Sequence, residues 1–122
     1  MPVDVDSQRV SGREIAMNAQ LQSILGELRR AMEAIYAKRL VRLVLYGSQA
    51  RGDAETGSDI DVLVVLAGPV RPATEIRRTG QAVTELSLRY DTVISCVFVA
   101  EDRFNTRQGP LLRNIRREGI AV

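Results

Sequence analysis

The stretch Leu43-Val44-Leu45-Tyr46-Gly47-Ser48-Gln49-Ala50-Arg51-Gly52 carries an apolar run straight into a Gly-Ser turn. A second stretch, Ser58-Asp59-Ile60-Asp61-Val62, opens another apolar run with two carboxylates one residue apart. Leu40 to Tyr46 reads as a buried strand, and Ile60 to Leu66 as a second one stopped by Gly68-Pro69. Gly47 to about Ala54 reads as a turn followed by a short helix. The turn and the carboxylates meet only if the end of one strand lies beside the start of the next. That is the geometry of an antiparallel pair.

Toward the N-terminus, Ser11-Gly12-Arg13-Glu14 fits a capping box. A helix is expected from there to about Lys38, with Leu21, Ile24, Leu25, Leu28, Met32 and Ile35 as its apolar stripe. Toward the C-terminus, Pro72 precedes a helix over about 73–89, with Ile76, Val83 and Leu86 expected inward. Thr92 to Val99 is rich in β-branched residues and reads as a third strand. Gly109-Pro110 opens a last helix, which Gly119 ends. Its apolar side is expected to be Leu111, Leu112 and Ile115, with Arg113, Arg116 and Arg117 on the solvated side.

The order is α-β-α-β-α-β-α. It predicts an α/β (α+β) fold, a small three- to four-stranded mixed sheet covered by helices. Residues 1–12 are expected to form a flexible N-terminal segment and 13–122 a single domain.

Composition narrows the chemistry. A chain of 122 residues with 45% apolar content suits one folded domain, short for an enzyme that also carries its own acceptor site. It has no apolar run long enough to span a membrane and no apolar signal core, and its single cysteine, Cys96, lies in an apolar run. A cytoplasmic setting is expected. Histidine is absent, which removes imidazole bases and His metal sites. A bound metal would then take oxygen ligands, pointing to Mg²⁺ or Mn²⁺ rather than Zn²⁺. The net charge of +2 is too small to mark a nucleic-acid binder by itself.

Side chains two apart on a strand share a face, so Asp59 and Asp61 project together. Two carboxylates this close repel unless a cation sits between them. Read alone, they are better explained as strand-edge or turn-capping acids. Gly47 lets backbone approach an anion closely, and Ser48 adds a hydroxyl. The short helix that follows directs its first amides outward, which suits phosphate. Arg51 either adds a full charge there or pairs with Asp53 or Glu55. A Walker-type loop is excluded, because no Gly-x-x-x-x-Gly-Lys occurs.

Together, Gly47-Ser48-Gln49-Ala50-Arg51-Gly52 and Ser58-Asp59-Ile60-Asp61 resemble the signature of the DNA polymerase β-type nucleotidyltransferase superfamily. The likeness is to its small stand-alone members, the minimal nucleotidyltransferases. The resemblance implies that Gly47 and Ser48 hold the β and γ phosphates of ATP or another nucleoside triphosphate. It implies that Asp59 and Asp61 bind Mg²⁺ or Mn²⁺. A nucleoside monophosphate, AMP by family analogy, would pass to a hydroxyl of a protein, an RNA or a small molecule. Small members often act with a helical HEPN-type partner in toxin–antitoxin pairs, which the resemblance extends to this chain as an expectation.

The family usually adds a third carboxylate on the third strand. Here Tyr90-Asp91-Thr92-Val93-Ile94-Ser95-Cys96-Val97 carries no acid at its centre. Either Asp91 is the third catalytic acid or Ser95 occupies that position, and strand parity allows both. Asp91 also fits as a plain turn residue. If the triad is incomplete, the alternative is a degenerate module that binds nucleotide or a partner. A basic C-terminal helix binding RNA is a further reading, weakened by the scarcity of aromatic residues there.

Overall fold

The structure is a computed structural model that describes residues 18–55, 58–106 and 109–122. Its elements are α1 (Ala19–Tyr36), a 3₁₀ turn (Ala37–Arg39), β1 (Leu40–Tyr46), α2 (Ser48–Arg51) and β2 (Ile60–Leu66). They continue with α3 (Pro72–Arg89), β3 (Ile94–Ala100), α4 (Glu101–Thr106), α5 (Pro110–Glu118) and β4 (Ile120–Ala121). The strands form one mixed sheet in the order β3-β2-β1-β4. β1 is antiparallel to β2 and to β4, and β2 is parallel to β3. This is the small mixed sheet under helices that the sequence predicts.

The alternation of each strand divides the core in two. Leu43, Leu45, Ile60, Val62, Val64, Leu66, Ile94 and Phe98 face α1 and α3 and pack on Leu21, Ile24, Leu28 and Met32. Val44, Leu63, Val65 and Val99 face the other way, onto Phe104 of α4 and Leu112 and Ile115 of α5. Both faces are apolar, so β2 is buried on both sides from Val62 to Leu66.

Several expectations change. The Ser11–Glu14 capping box and the segment 1–12 lie outside the described residues. The described helix starts at Ala19, because Asn18 is extended and its side chain accepts from the Leu21 amide at 2.7 Å. β3 begins at Ile94 rather than Thr92, since Asp91 takes a left-handed turn at φ 50°. On α3, Ile76 is 56% exposed, and the inward position belongs to Glu75. The Tyr36 hydroxyl donates to Glu75 Oε1 at 2.7 Å, so the buried carboxylate is satisfied. Burial alone would raise the Glu75 pKa. Hydrogen bonds from Tyr36 and the Arg71 amide, with the charges of Arg78 and Arg39, bring it below the usual value.

Leu111 is exposed, whereas Arg116 is buried with its guanidinium 5.3 Å from the Phe104 ring centre. The aromatic face supplies the attraction that turns this arginine inward. Two elements went unread. α4 is only six residues long, and β4 only two. β4 can reach β1 because Gly119 lacks a side chain: a Cβ there would stand 2.5 Å from Val44 Cγ1 and Ile115 O. Gly119 thus does more than end the helix.

Candidate active site

The antiparallel register sets Tyr46, the last residue of β1, directly opposite Asp61 of β2. Gly47 therefore turns the chain against the Asp61 carboxylate. It does so at φ 76°, and a Cβ there would lie 2.5 Å from Asp61 Oδ2. No side chain but hydrogen fits both the backbone and the space. The close approach expected of Gly47 is thus first to the chain's own carboxylate.

Beyond Gly47, α2 is a single tight turn. Ala50 and Arg51 donate backbone N–H to Gly47 O, and Gly52 and Asp53 donate to Ser48 O. Ala50 is buried and anchors the turn. The Gln49 amide donates to Ser58 O at 3.3 Å, tying α2 to the entrance of β2. Arg51 pairs with Asp53 at 3.2 Å and with Glu118 at 3.6 Å, and so joins α2 to the end of α5. Of the two partners anticipated, it takes Asp53. Ser48 and Asp61 thus lie at the same end of the sheet, on consecutive elements.

Asp59 is exposed and Asp61 half-buried. Burial raises the Asp61 pKa, the neighbouring Asp59 charge raises it further, and Arg51 works against both. None of the hydrogen bonds or ion pairs among the described residues ends on either carboxylate. Their oxygens are open acceptors with a mutual repulsion that a cation would relieve. This donor set fits Mg²⁺ or Mn²⁺, hard ions that take one or two protein carboxylates and complete their shell with water and phosphate.

Register sets which residue of β3 stands beside Asp61. β3 runs parallel to β2 with Ser95 beside Asp61 and the Ile60 amide bonded to Val93 O at 2.8 Å. Asp91 stands four residues earlier, exposed, in the turn between α3 and β3. Among the described residues no group of three His, Cys, Asp or Glu side chains converges as a metal cage. The structure therefore brings Asp59 and Asp61 together and places Ser95, not Asp91, next to Asp61. Asp91 instead borders a cleft of about 460 Å³ with Leu21, Gln49, Ser58 and Ile60. Ile60 and Asp61 turn to opposite faces of β2, and neither Asp59 nor Asp61 lines this cleft.

Cys96 packs toward the helices, where burial pushes its thiol up to about 12 and keeps it un-ionised, as expected of a core residue. Tyr46 was not singled out from the sequence. Its phenol is raised first by burial, then by Asp61 and Cys96. The signal for it was its position just before Gly47 at the end of a strand that had to run antiparallel to β2.

A family model described as a nucleotidyltransferase domain matches residues 25–119. The chain belongs to this family. It is 32% identical over 99 residues to the protein named "Putative protein adenylyltransferase MJ0604" of Methanocaldococcus jannaschii, covering 80% of this chain and 93% of the relative. A second protein of that organism, "Putative protein adenylyltransferase MJ0141", is 33% identical over 76 residues, 62% of this chain and 76% of its own. A crystal structure described as "a putative nucleotidyltransferase from Sulfolobus solfataricus" superposes with a TM-score of 0.55 at 18% identity, covering 87% of this chain and 84% of that one. The last likeness concerns the fold alone. As a member of the family, the protein is a nucleotidyltransferase. No helix among the described residues is long and apolar enough to cross a membrane.

Proposed function

We propose that this nucleotidyltransferase moves a nucleoside monophosphate, AMP in the first instance, from a nucleoside triphosphate to a hydroxyl of a protein acceptor. The relatives named as protein adenylyltransferases support the nucleotide and the acceptor class. RNA or a small molecule as acceptor, a helical HEPN-type partner and a toxin–antitoxin role are parts of the proposal that the family resemblance alone supports, and a cytoplasmic setting rests on the single cysteine. The observation that carries the reading is the close approach of Gly47 to Asp61, which sets the Gly-Ser turn directly against the carboxylate at one strand end.

In this reading the β and γ phosphates lie along the Gly47-Ser48 backbone and the Ser48 hydroxyl donates to them. Asp59 and Asp61 hold Mg²⁺ or Mn²⁺, which when bound offsets triphosphate and pyrophosphate charge. The acceptor oxygen forms a bond to the α-phosphorus as the bond to the pyrophosphate oxygen breaks. The acceptor proton leaves to solvent, since Ser95 is no base. Arg51 adds positive charge while held by Asp53 and Glu118. Catalysis is then mainly positioning and charge stabilisation.

The test is transfer of label from α-³²P-ATP with Mg²⁺, comparing the protein with Asp61→Asn. Loss of more than the roughly 10–100-fold typical of a lost metal-site outer partner is expected. Unchanged transfer in Asp61→Asn would remove the proposed metal site. Ser95 beside Asp61 favours a second reading, nucleotide binding with little or no turnover. Asp61-dependent release of pyrophosphate at enzymatic rates would exclude it. Asp91, four residues from that position, is proposed to act only outside the metal site, and Asp91→Asn is expected to leave metal binding intact.

A further inference from the structure

β3 is the outer strand of the sheet, and among the described residues it is paired on one side only. Because the Ile60 amide bonds Val93 O, the odd residues of β3 turn their backbone groups toward β2. By alternation, Ile94, Cys96 and Phe98 turn theirs outward along the open edge. Natural sheets protect such edges with lysine, proline, a bulge or an inward charge. β3 reads Ile94-Ser95-Cys96-Val97-Phe98-Val99-Ala100 and carries none of the residues that do so. Val93 and Val97 are 54% and 38% exposed, and they flank Ser95 on the face that bears Asp59 and Asp61.

We propose that this edge is the acceptor-binding surface, and that the acceptor is an extended polypeptide segment adding a strand beside β3. The proposal rests on the nucleotidyl-transfer reading and names the acceptor's form. Tyr46, Asp61 and Ser95 form one row across three strands. An added strand extends that row, placing one of its own side chains beside Ser95 and about 10 Å, two strand spacings, from Asp61. A serine, threonine or tyrosine there points to the carboxylate face with room for the α-phosphate between. Val93 and Val97 receive the acceptor's neighbouring same-face apolar side chains. The open backbone edge supplies affinity without regard to sequence, and the two valines supply register.

The experiment uses the full chain, α-³²P-ATP, Mg²⁺ and an array of eight-residue peptides that alternate apolar residues with one central serine, threonine or tyrosine. Fluorescent mant-ATP reports nucleotide binding separately, and thermal melts confirm folding of each variant. Label is expected on the alternating peptides. It should fall about tenfold or more in Val97→Lys and in Val93→Lys, with mant-ATP affinity unchanged. N-methylation of alternate peptide amides, which blocks strand pairing, should remove it as well. Labelling unaffected by both lysine variants would overturn the proposal. So would a dimer through β3 that Val97→Lys separates without loss of labelling, which would assign the edge to a second copy. Failure to label any peptide while mant-ATP still binds in an Asp61-dependent way would sink the strand acceptor and leave nucleotidyl transfer standing. Loss of Asp61-dependent nucleotide binding would instead remove the underlying reading.

Discussion

One face of β2 is built in two halves that differ in what they exclude. From Leu63 to Val65 it is closed by Phe104, Leu112 and Ile115, and these side chains are almost wholly removed from water. One step earlier, at Asp61, the same face is left open, and its neighbours across the sheet are Tyr46 and Ser95. On the other side of β2, Ile60, Val62, Val64 and Leu66 are all apolar and buried, with no charge among them. The difference teaches where a small sheet can carry charge. A carboxylate in the closed half would need a full set of partners. At the open strand end it keeps contact with water while its backbone remains locked by two neighbouring strands.

If the halves are separable, damage to the closed one should reduce stability and spare the site. Phe104 is fully buried and receives Arg42 and Arg116 over its ring at 6.0 and 5.3 Å. Phe104→Ala is expected to destabilise by about 3–5 kcal/mol in urea unfolding. The fraction that stays folded should bind mant-ATP as before, and a lost affinity at full folding would break the separation. Gly47→Ala attacks the open half. The positive φ and the 2.5 Å approach to Asp61 Oδ2 predict a stability cost of about 1–3 kcal/mol from backbone strain. Label transfer should fall with it, because the displaced carboxylate is the proposed metal ligand. Retained transfer at reduced stability would show that Gly47 serves the fold alone.

The two halves were not equally legible. Leu43 to Leu45 and Val62 to Leu66 are continuous apolar runs, and such runs read as buried strands whatever covers them. Gly47, Ser48, Asp59 and Asp61 were legible as a group because the strand ends had to meet. The neighbours across the sheet were not. Asp91 and Ser95 have the same parity, and only the pairing of Asp61 with Ser95 separates them. Arg116 looked solvated because helical spacing knows nothing of Phe104, which sits on a six-residue helix too short to announce itself by periodicity. Ile76 looked buried for the converse reason, since the position it seemed to fill is taken by the Tyr36–Glu75 pair.

A smaller effect tests whether the open half carries unrelieved charge. The raised pKa of Asp61 means that the folded chain holds its proton more tightly than the unfolded chain does. The associated stability is present in full below the unfolded-state pKa and lost as pH rises through the raised value. At neutral pH without metal, Asp61→Asn should therefore raise Tm while abolishing transfer. Mn²⁺ should stabilise the parent chain at neutral pH and lose that effect as the pH falls and Asp61 protonates. A lower Tm for Asp61→Asn would mean that its carboxylate makes a net favourable contact within the fold.

The mildest expected change comes from Ser95→Asp, which sets a third carboxylate beside Asp61 without touching the closed half. Ser95 is half-buried at the open end, so the variant should fold. In the absence of metal the added like charge should raise the Asp61 pKa further and lower Tm slightly at neutral pH. With Mn²⁺ the sign should reverse, because three oxygen ligands hold a divalent ion more tightly than two. Titration of Mn²⁺ followed by electron paramagnetic resonance measures this without any need for turnover. If Ser95→Asp leaves Mn²⁺ affinity unchanged while Asp61→Asn removes it, the row from Tyr46 to Ser95 is a matter of strand register alone. In that case the metal faces Gly47 and Ser48, away from β3, and the charge tolerated at this strand end belongs to the Asp59–Asp61 pair.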